Sequence, residues 1–193
     1  MPVAATPPAT RRAVILSTAA GLFARHGFHG VSIDDLGRAL GVTGPALYRH
    51  FRNKEALLAE MLLDISQRLL SEGKRRAASA PDPASALSAL LHWHIEFALA
   101  EPALITVHER ELDNVPERDR HEIRRLQRGY AEEWVQVLRR LHPAVTEDRA
   151  RAATHATFGL LNSTPRSAAG LSQPAMARLL YNMASSGLGA ALG

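Results

Sequence analysis

The feature that most constrains this chain is the period of its apolar residues. Nearly every segment from Arg11 to Ala191 repeats them at three- and four-residue intervals, and none sustains the alternation that a half-buried strand requires. The chain therefore reads as all-α, with about nine helices. The first, Arg11 to His26, offers Ile15, Ala19, Leu22 and Phe23 to a core and stops at Gly27, a residue suited to the left-handed C′ position. The second opens at Ser32, forms a capping box with Asp35 and ends at Gly41. A third runs from Thr43 as N-cap to Phe51 with Pro45 in its first turn; a fourth starts from Asn53 and loses its pattern between Gly73 and Ala80. Prolines then delimit helices near 84–100, 103–112, 117–141, 147–163 and 174–191.

The charge is uneven along this helical string. Residues 1–54 hold seven basic side chains against two acidic, while the remaining residues are close to neutral. A basic amino-terminal quarter on a neutral body is the electrostatic footprint of a polyanion reader. Three short helices in that quarter, joined by glycine turns, have the organisation of a helix-turn-helix. Between the second and third, Leu40-Gly41-Val42-Thr43 supplies a residue for positive φ, an apolar plug and a cap. Leu47, Tyr48 and Phe51 are the inward positions of the third helix, leaving Gly44, Pro45, Ala46, Arg49 and His50 to face outward. We read residues 1–9 as a disordered tail, 10–54 as the reading head and 55–193 as a second helical domain.

The run Ala20-x-Leu22-Phe23-x3-Gly27-Phe28-x3-Ser32-x2-Asp35-Leu36-x4-Gly41-Val42-x4-Leu47-Tyr48-x-His50-Phe51-x2-Lys54-Glu55-x-Leu57 resembles the DNA-binding domain of the TetR family of bacterial transcriptional repressors. The resemblance implies phosphate contacts from Tyr48, His50 and Lys54, a capping and backbone role for Thr43, and base or flanking contacts from Gly44, Pro45, Ala46 and Arg49, with Ser32 beside them at the start of the second helix. Hydroxyl, imidazole and ammonium groups are the ordinary phosphate donors. Of the base-facing residues only Arg49 carries a donor able to read guanine, so much of the specificity falls to backbone contacts and DNA shape. Gly37 departs from the family, which usually has alanine there; mid-helix it costs about 1 kcal/mol and loosens the second helix.

The same resemblance implies a body that dimerises and holds an inducer. Helical spacing turns His94 and His108 inward. Together with Trp93, Tyr130, Trp134, Phe158 and Asn162 they can line a mainly apolar cavity for an organic ligand; the alternative is a filled core with satisfied histidines. The helices at 147–163 and 174–191 are rich in small residues and form the expected seam of a homodimer. The stretch Phe158 to Pro165 is similar to a subgroup linked to lipid and acyl-coenzyme A metabolism, which points to a fatty acyl-CoA or another apolar small molecule as inducer.

Other classes fare worse. Without cysteine there is no thiol nucleophile, Cys-ligated zinc or iron–sulfur cluster, and no Gly-x-Ser-x-Gly elbow, HExxH or phosphate-binding glycine loop is present. His92 and His94 lie about 200° apart on a helix and cannot share a metal; His108, Glu111 and His155 have no supporting pairing. We therefore expect no enzyme, metal or cofactor. No stretch approaches the roughly 18 apolar residues of a membrane span, and the start lacks a signal sequence, so the expected setting is cytoplasmic. The expected partners are a palindromic double-stranded operator, a small-molecule inducer and a second copy of the chain. An architectural helix-turn-helix protein without inducer is the other reading of the head, and it predicts a tightly filled body.

Overall fold

The computed structural model describes residues 10–167 and 170–193, so the tail expected at 1–9 lies outside the described residues. Helix α1, Arg11–His26, is capped by Thr10, whose side chain accepts from Ala13 N, and it ends at Gly27 with φ +75°. Helix α2, Ile33–Leu40, carries the full Ser32–Asp35 capping box and stops at Gly41, φ +65°. The third helix is shorter than its spacing suggests: α3 is one turn, Gly44–Leu47, followed by turns whose amides at His50 and Phe51 return to Leu47 O. Asn53 then caps α4, Lys54–Ala78, through its side chain.

Helix α4 runs straight through Gly73, where the sequence pattern was expected to fail. Gly73 is buried, and a Cβ there would stand 2.6 Å from Tyr130 Cε2. The glycine is a crossing point of helices and not a stop. The body continues as α5, Pro83–Ala100; α6, Pro102–Glu111, with a 3-10 turn at Leu112–Asn114; α7, Glu117–Leu141; and α8, Glu147–Leu161. A short α9, Thr164–Ser167, has Pro165 in its first turn and is tied to α5 by a 2.7 Å hydrogen bond from Thr164 Oγ1 to Ala98 O. The last helix, α10, spans Gln173–Leu192. Eight of these helices have eight or more residues, no strand occurs among the described residues, and no helix is long and apolar enough to cross a membrane.

Two apolar clusters fill the molecule. One joins Ile15, Phe23, Leu36, Leu47 and Phe51 of the amino-terminal helices to Leu57 and Leu62 of α4, Ile105 and Val107 of α6, and Ile123 of α7. The other gathers Leu90, Leu91, Tyr130, Trp134, Leu138, Leu161, Leu180 and Leu188. The first part of α4 therefore shares its core with the head, and α6 packs directly on α1. Burial of this apolar surface, at about 25 cal/mol per Å², is what holds head and body as one unit.

Candidate nucleic-acid interface and ligand cavity

The head places its polar residues by close backbone packing. Val42 N donates to Gly37 O at 2.9 Å, and a Cβ at Gly37 would meet Val42 O at 2.7 Å. The glycine that sequence reasoning took as a weakness thus lets the turn close tightly on α2. Thr43 stands at the N-cap position of α3, but its side chain makes no capping bond, so its exposed hydroxyl is left for another acceptor. Two positions differ from their expected facing. Gly44 is buried, its open side toward Asp34 Oδ1, because α3 lies against the start of α2. Tyr48, expected inward, is 53% exposed, because α3 ends one residue earlier and its ring turns out. Leu47 and Phe51 are buried as expected, Ala46 is half-buried, and Arg49 and His50 are exposed. The side chain of Pro45 lies outside the description.

Ser32 is exposed, but its hydroxyl donates to Asp35 Oδ2 at 2.6 Å, and this bond, with one from the Ser32 amide, holds the Asp35 carboxyl below its ordinary range. Lys54 also has a structural occupation. Its ammonium donates to Phe28 O at 2.7 Å and Val31 O at 2.9 Å and sits 4.2 Å from the centre of the Phe28 ring, so it ties the loop before α2 to α4. One of its three N–H donors stays uncommitted. Sequence reasoning missed Arg12: it donates to His50 O at 3.3 Å, pairs with Glu60 and lies 4.7 Å from the centre of the Phe51 ring, bracing the segment that carries Tyr48 to His50.

The body encloses a cavity of about 360 Å³ between α4, α5, α6, α7 and α8. Its interior is apolar, from Ile65, Leu69, Phe97, Leu104, Ile105, Ala131 and Phe158, with a few polar groups from Ser66, His94, His108, Gln127, Tyr130 and Asn162. The exposed lining residues Glu109, Arg124, Arg128 and His155, with half-buried Arg151, mark its mouth. His94 is the central polar group: Nε2 stands 2.9 Å from Asn162 Oδ1, and Nδ1 stands 3.3 Å from the Tyr130 hydroxyl. An amide oxygen can only accept, so Nε2 carries the proton and Nδ1 receives the tyrosine O–H. Burial pushes the His94 imidazole down to about 4, partly opposed by the Asn162 bond, and pushes the Tyr130 phenol up. Burial likewise lowers His108, whose bond to Gln127 opposes the shift. Both histidines are therefore neutral at pH 7, which suits an apolar ligand.

Five of the seven expected cavity residues line it: His94, His108, Tyr130, Phe158 and Asn162. Two do not. Trp93 lies on the other side of α5, under the Arg76 guanidinium at 4.8 Å, with Nε1 donating to Leu69 O. Trp134 is wholly buried behind the wall, with its ring perpendicular to Phe158 at 5.2 Å. Arg124, Gln127, Arg128 and Ala131 were missed because that stripe of α7 has the composition of a solvated face.

Helix α8 presents three faces at about 100° per residue: Ala150, Thr154, Thr157 and Leu161 to the core, Arg151, His155 and Phe158 to the cavity, and Ala152, Ala156 and Gly159 to solvent. On α10, Met176, Leu180, Ala184 and Leu188 are buried, while Leu179 and Met183 remain 43% and 50% exposed.

The fold thus joins a helix-turn-helix head to a body that is built of helices among the described residues and holds an apolar cavity. Residues 15–61 match the family model described as bacterial regulatory proteins, tetR family, and residues 80–188 match the tetracyclin repressor-like C-terminal domain. The chain belongs to the TetR family. It is 28% identical over 129 residues to the HTH-type transcriptional repressor KstR2 of Rhodococcus jostii, an alignment that covers 66% of this chain and 63% of that protein, just under two thirds of the relative's length. A TetR-family transcriptional regulator from Bordetella parapertussis has a similar structure, with a TM-score of 0.80 and 26% identity over 91% of this chain and 94% of that one. The TetR family regulator PfmR of Thermus thermophilus gives 0.78 and 26% over 91% and 96%.

Proposed function

We propose that the protein is a transcriptional repressor that binds an inverted-repeat operator as a symmetric dimer and leaves it when a small molecule with an apolar body, such as a fatty acyl-CoA, enters the cavity. The observation that carries this reading is the exposure of Tyr48, Arg49 and His50 directly after α3, braced from behind by Arg12 at His50 O, with Lys54 holding the loop before α2. Residues 10–54 serve as the head and 55–193 as the body. Thr43, Tyr48, His50 and the free donor of Lys54 meet phosphates, Ser32 lies at their edge, and Arg49 reads base edges with Pro45 and Ala46 beside it. Gly44 contributes only backbone. One short recognition segment reads few base pairs, and a two-fold protein matches a two-fold site.

The solvent faces of α8 and α10 support pairing between copies. Leu179 and Met183 are large apolar groups left uncovered, and the neighbouring Ala152, Ala156, Gly159 and Gly187 are small enough for close helix approach. The cavity supports an inducer, and it counts against an architectural protein with a filled body. Helix α6 offers the route between the sites, since it lines the cavity and packs on α1. A ligand preference of about 1 to 3 kcal/mol for one head spacing is enough to release DNA.

The test is operator selection from random duplexes, followed by salt titration. The expected result is a palindromic site whose affinity falls steeply with salt and is lost when Tyr48→Ala and His50→Ala are combined. Salt-independent binding, or full affinity in the double variant, sinks the reading.

A further inference from the structure

The mouth of the cavity carries positive charge that the fold leaves largely uncompensated. Arg124 and Arg128 stand one turn apart on α7, both exposed and both on the cavity lining. The carboxylate facing Arg124 is Asp113, at the limiting distance of 4.0 Å and itself 88% exposed, and Arg128 forms no ion pair among the described residues. The neighbouring charges are spoken for: Arg151 is bonded to Glu132 at 2.9 Å and Glu147 at 2.7 Å, Arg125 to Glu122 at 2.6 Å, and Glu109 at the same mouth faces Arg166 at 3.4 Å. Inside, Asn162 uses its carbonyl on His94, and its amide N–H groups have no acceptor among the described residues. The cavity thus runs from two open guanidinium forks at its mouth to an apolar interior with a spare N–H donor.

We propose that this cavity selects an amphipathic anion: an apolar body inside, an acceptor oxygen toward Asn162, and a carboxylate or phosphate held by Arg124 and Arg128. Guanidinium forks bind both anions in bidentate fashion, and two of them at i, i+4 can share one group. The proposal rests on the inducer reading of the cavity. Two sources share the apolar body and the anionic head, a free acyl carboxylate and an acyl thioester bearing phosphates; the thioester alone adds a separate carbonyl oxygen for the Asn162 amide.

The experiment titrates dodecanoate, dodecanoyl-CoA and uncharged dodecanol against the full chain by calorimetry. It is repeated with Arg124→Gln/Arg128→Gln, and with Arg125→Gln as a control that removes a paired arginine off the lining. At least one anion is expected to bind 10-fold or more tighter than dodecanol, with that preference reduced to within threefold in the double variant and kept in Arg125→Gln. The tighter anion identifies the source. Equal binding of dodecanol and both anions, or an anion preference that survives the double variant, overturns the proposal while leaving the inducer reading intact. If none of the three binds, the inducer reading fails and the proposal with it. Both positions are exposed, so the double variant should melt within a few degrees of the parent, which circular dichroism checks.

Discussion

His29 Nε2, in the loop between α1 and α2, stands 2.9 Å from Asn114 Oδ1, and Asn114 Nδ2 donates at 2.8 Å to the buried carboxylate of Glu111 at the end of α6. A loop of the head is thereby fastened to a helix that lines the cavity. Replacing Asn114 with Leu removes a donor from a buried carboxylate, a loss of about 1 to 3 kcal/mol that a urea midpoint will register. We also expect ligand affinity to hold while operator release weakens. An unchanged midpoint and unchanged release together exclude the clasp.

Lys54 is expected to matter without DNA. Lys54→Met strips donors from Phe28 O and Val31 O and should destabilise the free protein by about 1.5 to 3 kcal/mol, the range for hydrogen bonds to a charged group, as well as weakening operator binding. A variant as stable as the parent by denaturant titration would leave the residue a phosphate contact alone.

The neutral His94 makes stability depend on acid. With the folded value at about 4 and the free value at 6.5, the unfolded chain takes up a proton in that window before the folded one does. Stability is therefore full above pH 6.5, falls as pH drops toward 4 by about 3 kcal/mol, and levels off below that. Comparing His94→Gln with the parent over this range isolates the effect: the variant's curve should lack that slope. Identical slopes would show that His94 titrates normally.

Assembly is tested at Gly187, where an added Cβ meets nothing within 4 Å. Gly187→Arg should leave the fold intact and convert a dimer to a monomer by light scattering. A variant that stays dimeric at micromolar concentration moves the seam elsewhere.

Gly73→Ala should destabilise although alanine is the better helix former. The new methyl would press on Tyr130, 2.6 Å away, and overpacking of this kind costs about 1 to 3 kcal/mol against a propensity gain of about 1. A thermal melt above the parent's contradicts the close crossing of α4 and α7.

What the sequence determined by itself was local. Caps at Ser32 and Asn53, stops at Gly27 and Gly41, and proline starts in α5, α6 and α10 act over four residues or fewer, so most of the helices and the turn were legible in the order of side chains. Helical spacing also turned His94, His108, Tyr130, Phe158 and Asn162 inward, since facing follows from about 100° per residue. Only the tertiary structure decided which inward residues meet a void and which meet a neighbour. Trp93 and Trp134 satisfy the same periodicity but fall beside or behind the cavity, and Gly73 looks like a helix stop until Tyr130 is seen against it. Lys54 and Arg124 are surface cations by composition; one reaches carbonyls 26 and 23 residues away and the other opens onto a cavity. These outcomes depend on helix crossings between residues far apart in sequence, where burial and packing act and local pattern carries no information about the partner.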